Sequence, residues 1–150
     1  MEEEERRKHR RIPAISVVKE ALIESPELNI KTEIPAIVSN LSAGGMALIT
    51  FLSIPLNALV SLNFNLDGLR LKDVEGKVVR VAGKKKTYLI VIAFTKIKDE
   101  VKNRINMMAD AFDLCETRIM TGEKDICSTE CTYYELCSKP IKVVTDRENN

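Results

Sequence analysis

LNALVSLNFNL, residues 56–66, sets Leu56, Ala58, Val60, Leu62, Phe64 and Leu66 at every second position. That spacing turns one face of a β-strand towards a core and the other towards water. Asp67-Gly68 follows as a hairpin signal. Further on, VEGKVVRVA (residues 74–82) and TYLIVIAF (residues 87–94) read as a second hairpin pair, joined across Gly83-Lys84-Lys85-Lys86 as a solvated tip. Upstream, AISVVKEALI, IKTEIPAIVSNLS and MALITFLS are β-rich runs separated by the turn formers SPELN and AGG. Strands of such even spacing point to a small closed barrel with no open sheet edge. The expected architecture is mainly β: a six-stranded antiparallel barrel over residues 12–98.

The composition is compatible with one such core. The chain has 150 residues, 45% hydrophobic and 30% charged, with a formal net charge of +1, so one main domain is expected and any anion site must be local. The longest apolar run, residues 88–94, is far short of a membrane span, and the first residues, MEEEERRKHRR, lack a signal-peptide core. A cytoplasmic location is expected, without membrane insertion. His9 is the sole histidine, and no P-loop, dinucleotide fingerprint or nucleophile elbow occurs. Catalysis is not expected.

Beyond Lys98 the period changes. Val101, Ile105, Met108, Phe112, Cys115 and Ile119 recur at steps of four and three, predicting an amphipathic helix over residues 99–121 that packs on the barrel wall. Gly122 ends it, a cysteine-bearing segment occupies residues 122–140, and residues 141–150 form a frayed tail. All four cysteines lie in the last third: Cys115, Cys127, Cys131 and Cys137. In a reducing compartment their number suits a tetrahedral zinc site or a cubane iron–sulfur cluster better than disulfides. Cys127 and Cys131, at i and i+4, would share one helix face. Cys115 also fits the helix stripe as a plain core residue. Residues 121–140 hold too few apolar side chains to fold alone, so a metal is expected to supply the constraint, without the barrel depending on it. Tyr133 and Tyr134 are expected to cover the cysteine site.

Two features look chemical. Residues 1–11 form a charged arm in which Arg6, Arg7, Arg10 and Arg11 make interlaced Arg-x-x-x-Arg pairs, suited to gripping phosphate and stacking on a purine. Taken alone, such a run is an ordinary solvated charge cluster. The second feature, Asn40-Leu41-Ser42-Ala43-Gly44-Gly45, sets an amide and a hydroxyl beside glycines that permit positive φ and close ligand approach. Its plainer reading is a hairpin turn.

In this order and spacing the two features resemble the PilZ family, whose motifs are Arg-x-x-x-Arg ahead of the first strand and Asp/Asn-x-Ser-x-x-Gly at the second-to-third strand turn. Arg7 to Arg11 fits the first and runs straight into Ile12-Pro13-Ala14, while Arg6 and Arg10 offer the alternative register. Asn40, Ser42 and Gly45 fit the second. The similarity covers about residues 5–98. It implies a cyclic di-GMP receptor in which the arginines stack on guanine and pair with phosphate. The Asn and Ser would bond the other guanine and nearby backbone, and Gly44 and Gly45 would let the turn fit. The arm would order on binding and pass the signal to a protein partner, with the chain a monomer or homodimer. The stretch from Cys131 to Cys137 resembles the Cys-x2-Cys-x5-Cys iron–sulfur segment of RecB-type nucleases and radical-enzyme auxiliary domains, which has a distant upstream cysteine as fourth ligand, with x3 between Cys127 and Cys131 where those have x2. That favours a 4Fe–4S cluster over zinc as cofactor. Two other functions remain open: a PilZ-like interaction module without nucleotide binding, and a small metal-bearing nucleic-acid binder, which the near-neutral charge disfavours.

Overall fold

The alternating runs become six strands among the described residues of a computed structural model, which cover positions 11–25, 29–66, 68–137, 139 and 141–143. They are β1 (Ile12–Ser25), β2 (Ile30–Ser42), β3 (Gly45–Thr50), β4 (Leu59–Leu66), β5 (Leu69–Lys84) and β6 (Thr87–Lys96). All pairings are antiparallel, in the order β1-β2-β3-β6-β5-β4. β1 also pairs with β4 at Leu22–Asn63, Ile23–Leu62 and Glu24–Ser61, a short seam through which the order returns on itself.

The strand that decides the fold keeps its period. Val60, Leu62, Phe64 and Leu66 are buried and Leu59 and Asn65 exposed. Leu56 departs from the expectation: it is exposed and precedes the strand, because Pro55 and the positive φ of Asn57 (70°) put a turn there. The inward faces of β2 to β6 add Val38, Met46, Leu48, Leu71, Val74, Val78, Ile90 and Ile92 to one core. Bulges bend the strands around it. At one of them Asn63 faces both Lys72 and Asp73. Asp73 turns to φ 53°, and its N–H donates to Asn63 Oδ1 at 2.8 Å.

Both hairpins close tightly. Gly68 (φ 78°) follows Leu66, which pairs with Leu69; Asp67 of the expected turn lies outside the described residues. In the second hairpin the strands run further than expected. Gly83 and Lys84 pair with Tyr88 and Thr87, leaving Lys85 (φ 58°) and Lys86 as the tip.

The helix α1 (Asp99–Met120) begins with Asp99 and Glu100 and ends with Arg118 in its last turn, the charge order that suits its dipole. Its stop is a Schellman motif: Gly122 (φ 80°) donates to Ile119 O and Glu123 to Arg118 O, both at 3.1 Å. Ile105 and Met108 are fully buried in the barrel core. By the area removed from water each contributes about 1.5–3 kcal/mol. The stripe does not run the full length, since Ile119 is exposed. Past the first half of α1 the barrel has ended, and Phe112 and Cys115 face the C-terminal segment instead. No helix among the described residues is long and apolar enough to cross a membrane.

That segment packs on the barrel, in keeping with a composition too poor in apolar side chains to fold alone. Tyr133, just before a 3-10 turn (Tyr134–Leu136), and Leu136, its last residue, are buried in the same core cluster as Ile12 and Ile105. The Tyr133 hydroxyl donates to Pro13 O of β1. An aromatic ring and a leucine packed on existing core achieve what twenty sparse residues cannot achieve alone.

Candidate functional site

Register brings the arm and the turn together. Ile12 pairs with Leu41 and Pro13 with Asn40, so Arg11 lies beside the end of β2 where the turn begins. The turn is short, with Ser42 pairing with Gly45 across it. A cleft of about 450 Å³ opens on the outer wall here, lined by Arg11, Ser39, Asn40, Ser42, Gly44 and Gly45 from this side and by Arg80 and Val91 to Ala93 from β5 and β6. No carboxylate lines it among the described residues, and two guanidiniums do. Its floor is low, because Gly45, Ala47 and Ala93 carry little or no side chain. A flat, electropositive recess of this size suits a planar, anionic ligand.

Arg6, Arg7 and Arg10 of the expected arm lie outside the described residues; Arg11, exposed, is the arginine placed at the cleft. Arg80 was not singled out from the sequence. In simple alternation it would share the buried face of Val74, Gly76 and Val78, but the β5–β6 register shifts between Val78 and Arg80, and Val79 and Arg80 are both exposed. A single extra residue reverses the face of everything beyond it. Val79-Arg80, a polar break in an alternating strand, was the one available signal.

Ser42 makes the backbone bonds expected of it, while the positive φ expected of the glycines is not found. The Ser42 hydroxyl accepts the Gly44 N–H at 3.2 Å and donates to Gly45 O at 3.3 Å, stapling the turn. Neither Gly44 nor Gly45 has positive φ. Gly45 is required by packing: a Cβ there would lie 2.3 Å from Ile92 O, where β3 presses on β6. The Gly44 carbonyl accepts the Phe94 N–H at 2.8 Å, tying the turn to β6. Asn40 is half-buried at the cleft.

A second cavity, of about 280 Å³, lies between α1 and the C-terminal segment and is lined by Cys115, Cys127, Cys131 and Cys137 together. The four are free thiols, partly buried. Cys127 and Cys131 do not share a helix face, because their stretch is irregular: Ser128 folds it into a turn by accepting the Glu130 N–H at 3.2 Å. No three His, Cys, Asp or Glu side chains among the described residues stand where they could hold one metal ion. The single-ion arrangement expected for zinc is therefore not preformed, since the cysteines come from separate pieces of chain around an open space. Tyr133 and Tyr134 line the cavity as expected. Burial first, then the nearby Cys137 and Glu116, push the Tyr133 phenol up to about 12. Burial alone would lower Lys139, but hydrogen bonds to Glu116 and Cys115 raise it above its ordinary value. Lys139 Nζ also reaches Glu116 at 3.0 Å and the Phe112 carbonyl at 3.2 Å.

Comparison with known proteins gives a family and a fold. The model of the PilZ domain matches residues 5–110. No curated protein sequence matches the chain. Among solved structures it is similar to the Bacillus subtilis inhibitor of motility MotI/DgrA, with a TM-score of 0.56 and 18% identity over 73% of this chain and 52% of that one. It is similar also to Escherichia coli YcgR in complex with c-di-GMP, with a TM-score of 0.56 and 14% identity over 77% of this chain and 49% of that one. The chain thus spans about half the length of those two proteins. Against the separate PilZ domain of YcgR with c-di-GMP the TM-score is 0.53 at 14% identity, covering 79% of this chain and 98% of that one.

Proposed function

The chain belongs to the PilZ domain family, and from that premise we propose that it is a cytosolic bacterial receptor for cyclic di-GMP that passes the second-messenger level to a partner protein. As a member of a family of receptors it is not an enzyme. The observation that carries the reading is the outer-wall cleft, where Arg11, Asn40, Ser42, Gly44 and Gly45 meet and Arg80 faces them. Two guanidiniums address two phosphates and two purine faces, which cyclic di-GMP offers together.

In this reading residues 6–11 close over the ligand, with Arg7 and Arg11 as the gripping pair and Arg6 and Arg10 supplying further positive charge. Asn40 presents its amide to a guanine edge, while Ser42 acts on the ligand through the turn it staples. The closing of the arm on the ligand is the signal a partner reads. A scaffold that has lost nucleotide binding would have no reason to keep a cleft with two arginines and, among the described residues, no acid.

Isothermal titration of the full chain with cyclic di-GMP tests this. Arg11→Ala and Arg80→Ala should each weaken binding by about 1.5–3 kcal/mol, the worth of a hydrogen bond to a charged group. Equal affinity for cyclic di-GMP in wild type and the double variant would refute the assignment, and no binding to wild type would leave the scaffold reading.

A further inference from the structure

The PilZ reading leaves every cysteine of the chain unexplained. Cys115 stands on α1, Cys127 in an irregular stretch, Cys131 in a turn and Cys137 after the 3-10 turn, yet all four thiols border one cavity of about 280 Å³. Two of the sulfurs already accept backbone hydrogen bonds, Cys127 from the Val143 N–H at 3.2 Å and Cys137 from the Lys139 N–H at 3.5 Å. Such bonds stabilise sulfur that carries negative charge. Arg118, Lys139 and Lys142 line the same cavity with Glu130; Arg118 is paired to Glu123 at 2.7 Å and Lys139 to Glu116 at 3.0 Å, so the charge around it is close to balanced and the four thiols themselves carry the case for a metal group. The size of the space selects among such groups. A zinc ion held by four sulfurs at about 2.3 Å leaves no room between them. Space on the order of several waters, each about 30 Å³, suits a body of several atoms.

We infer that Cys115, Cys127, Cys131 and Cys137 are the four ligands of an iron–sulfur cluster that clamps the C-terminal segment onto the start of β1. Tyr133 is the link. It sits between Cys131 and Cys137 in the chain and stands edge-on to Phe112, with ring centroids 5.2 Å apart. Its hydroxyl donates to Pro13 O, two residues from Arg11 at the nucleotide cleft. The cluster thereby holds the strand that carries Arg11, and its presence raises nucleotide affinity; this last step rests on the cyclic di-GMP reading.

The full chain, expressed and purified without oxygen, is analysed for iron, zinc and acid-labile sulfide and titrated with cyclic di-GMP. Wild type should carry about four iron and four sulfide per chain with broad visible absorption, and Cys131→Ser should lose both. Tyr133→Phe should keep the cluster. Both variants should bind the nucleotide about five- to ten-fold more weakly than wild type, the effect of losing one anchoring hydrogen bond. Absence of iron and sulfide from wild type, or zinc in their place, overturns the cluster. A cluster without any difference in affinity overturns the clamp. A cluster-bearing wild type that ignores cyclic di-GMP overturns the function proposed above and the clamp with it, while the cluster stands.

Discussion

Replacing Gly45 by alanine tests the contact on which the cleft is built. The new Cβ would lie 2.3 Å from Ile92 O and 3.3 Å from Ala93 Cα, and these are backbone atoms of a strand paired on both sides, to β3 and to β5. No side chain can rotate away. The structure can relieve the overlap only by moving the end of β3 off β6, which gives up the hydrogen bond from Phe94 N–H to Gly44 O at 2.8 Å. That bond is worth about 1 kcal/mol, and forced overpacking costs about 1–3 kcal/mol more. The expected destabilisation is about 2–4 kcal/mol. With a urea dependence of about 1–3 kcal/mol per molar, the unfolding midpoint should fall by roughly 1–2 M at unchanged slope. Gly83→Ala is the control, because its Cβ would meet only the Tyr88 ring at 3.5 Å, an ordinary contact. There the change should stay within about 1 kcal/mol, since alanine suits a strand interior at least as well as glycine. A wild-type midpoint for Gly45→Ala, or an equal loss for Gly83→Ala, would refute the close approach of β3 and β6.

Two further substitutions separate structural from binding roles. Ser42→Ala removes both hydrogen bonds of the turn staple and should lower the stability of the nucleotide-free protein by about 1–2 kcal/mol; an unchanged urea midpoint would mean the hydroxyl serves the ligand alone. Gly122→Ala places a side chain at φ 80° with nothing within 4 Å of it. Its cost is therefore purely conformational, about 1–2 kcal/mol, with Gly122→Asn costing less; equal midpoints for all three proteins would show that the helix does not end in the left-handed cap.

Much of the architecture was legible because it is periodic. A strand with one wet face must alternate, and residues 59–66 do; a helix on a barrel must repeat at three and four, and Val101, Ile105 and Met108 do. Turn chemistry marked most of the boundaries, and where the period misled, at Leu56, the neighbouring Pro55 and Asn57 already held the reason. The arm and turn motifs could be recognised as a pair, but their local sequence did not say what each atom does. Ser42, expected to bond a guanine and nearby backbone, staples the turn through two backbone bonds; Gly45, expected to permit positive φ, is a packing requirement instead.

What the sequence by itself determined is the set of elements, the place of the motifs between them and the cysteine count, since these depend on neighbours along the chain. Tertiary structure alone decided which surfaces meet. Arg80 reached the cleft through a one-residue register shift that no period reveals, and Tyr133 reached Pro13 across 120 positions of sequence. The same holds for the cysteines. Their number led to the expectation of one shared site, but their spacing suggested a helix face where the stretch between Cys127 and Cys131 is irregular, and the cavity they border is built with Tyr133, whose ring packs into the barrel core. Contacts between residues far apart in sequence are selected by the burial of apolar surface, and a sequence read locally records that such surface exists without recording what covers it.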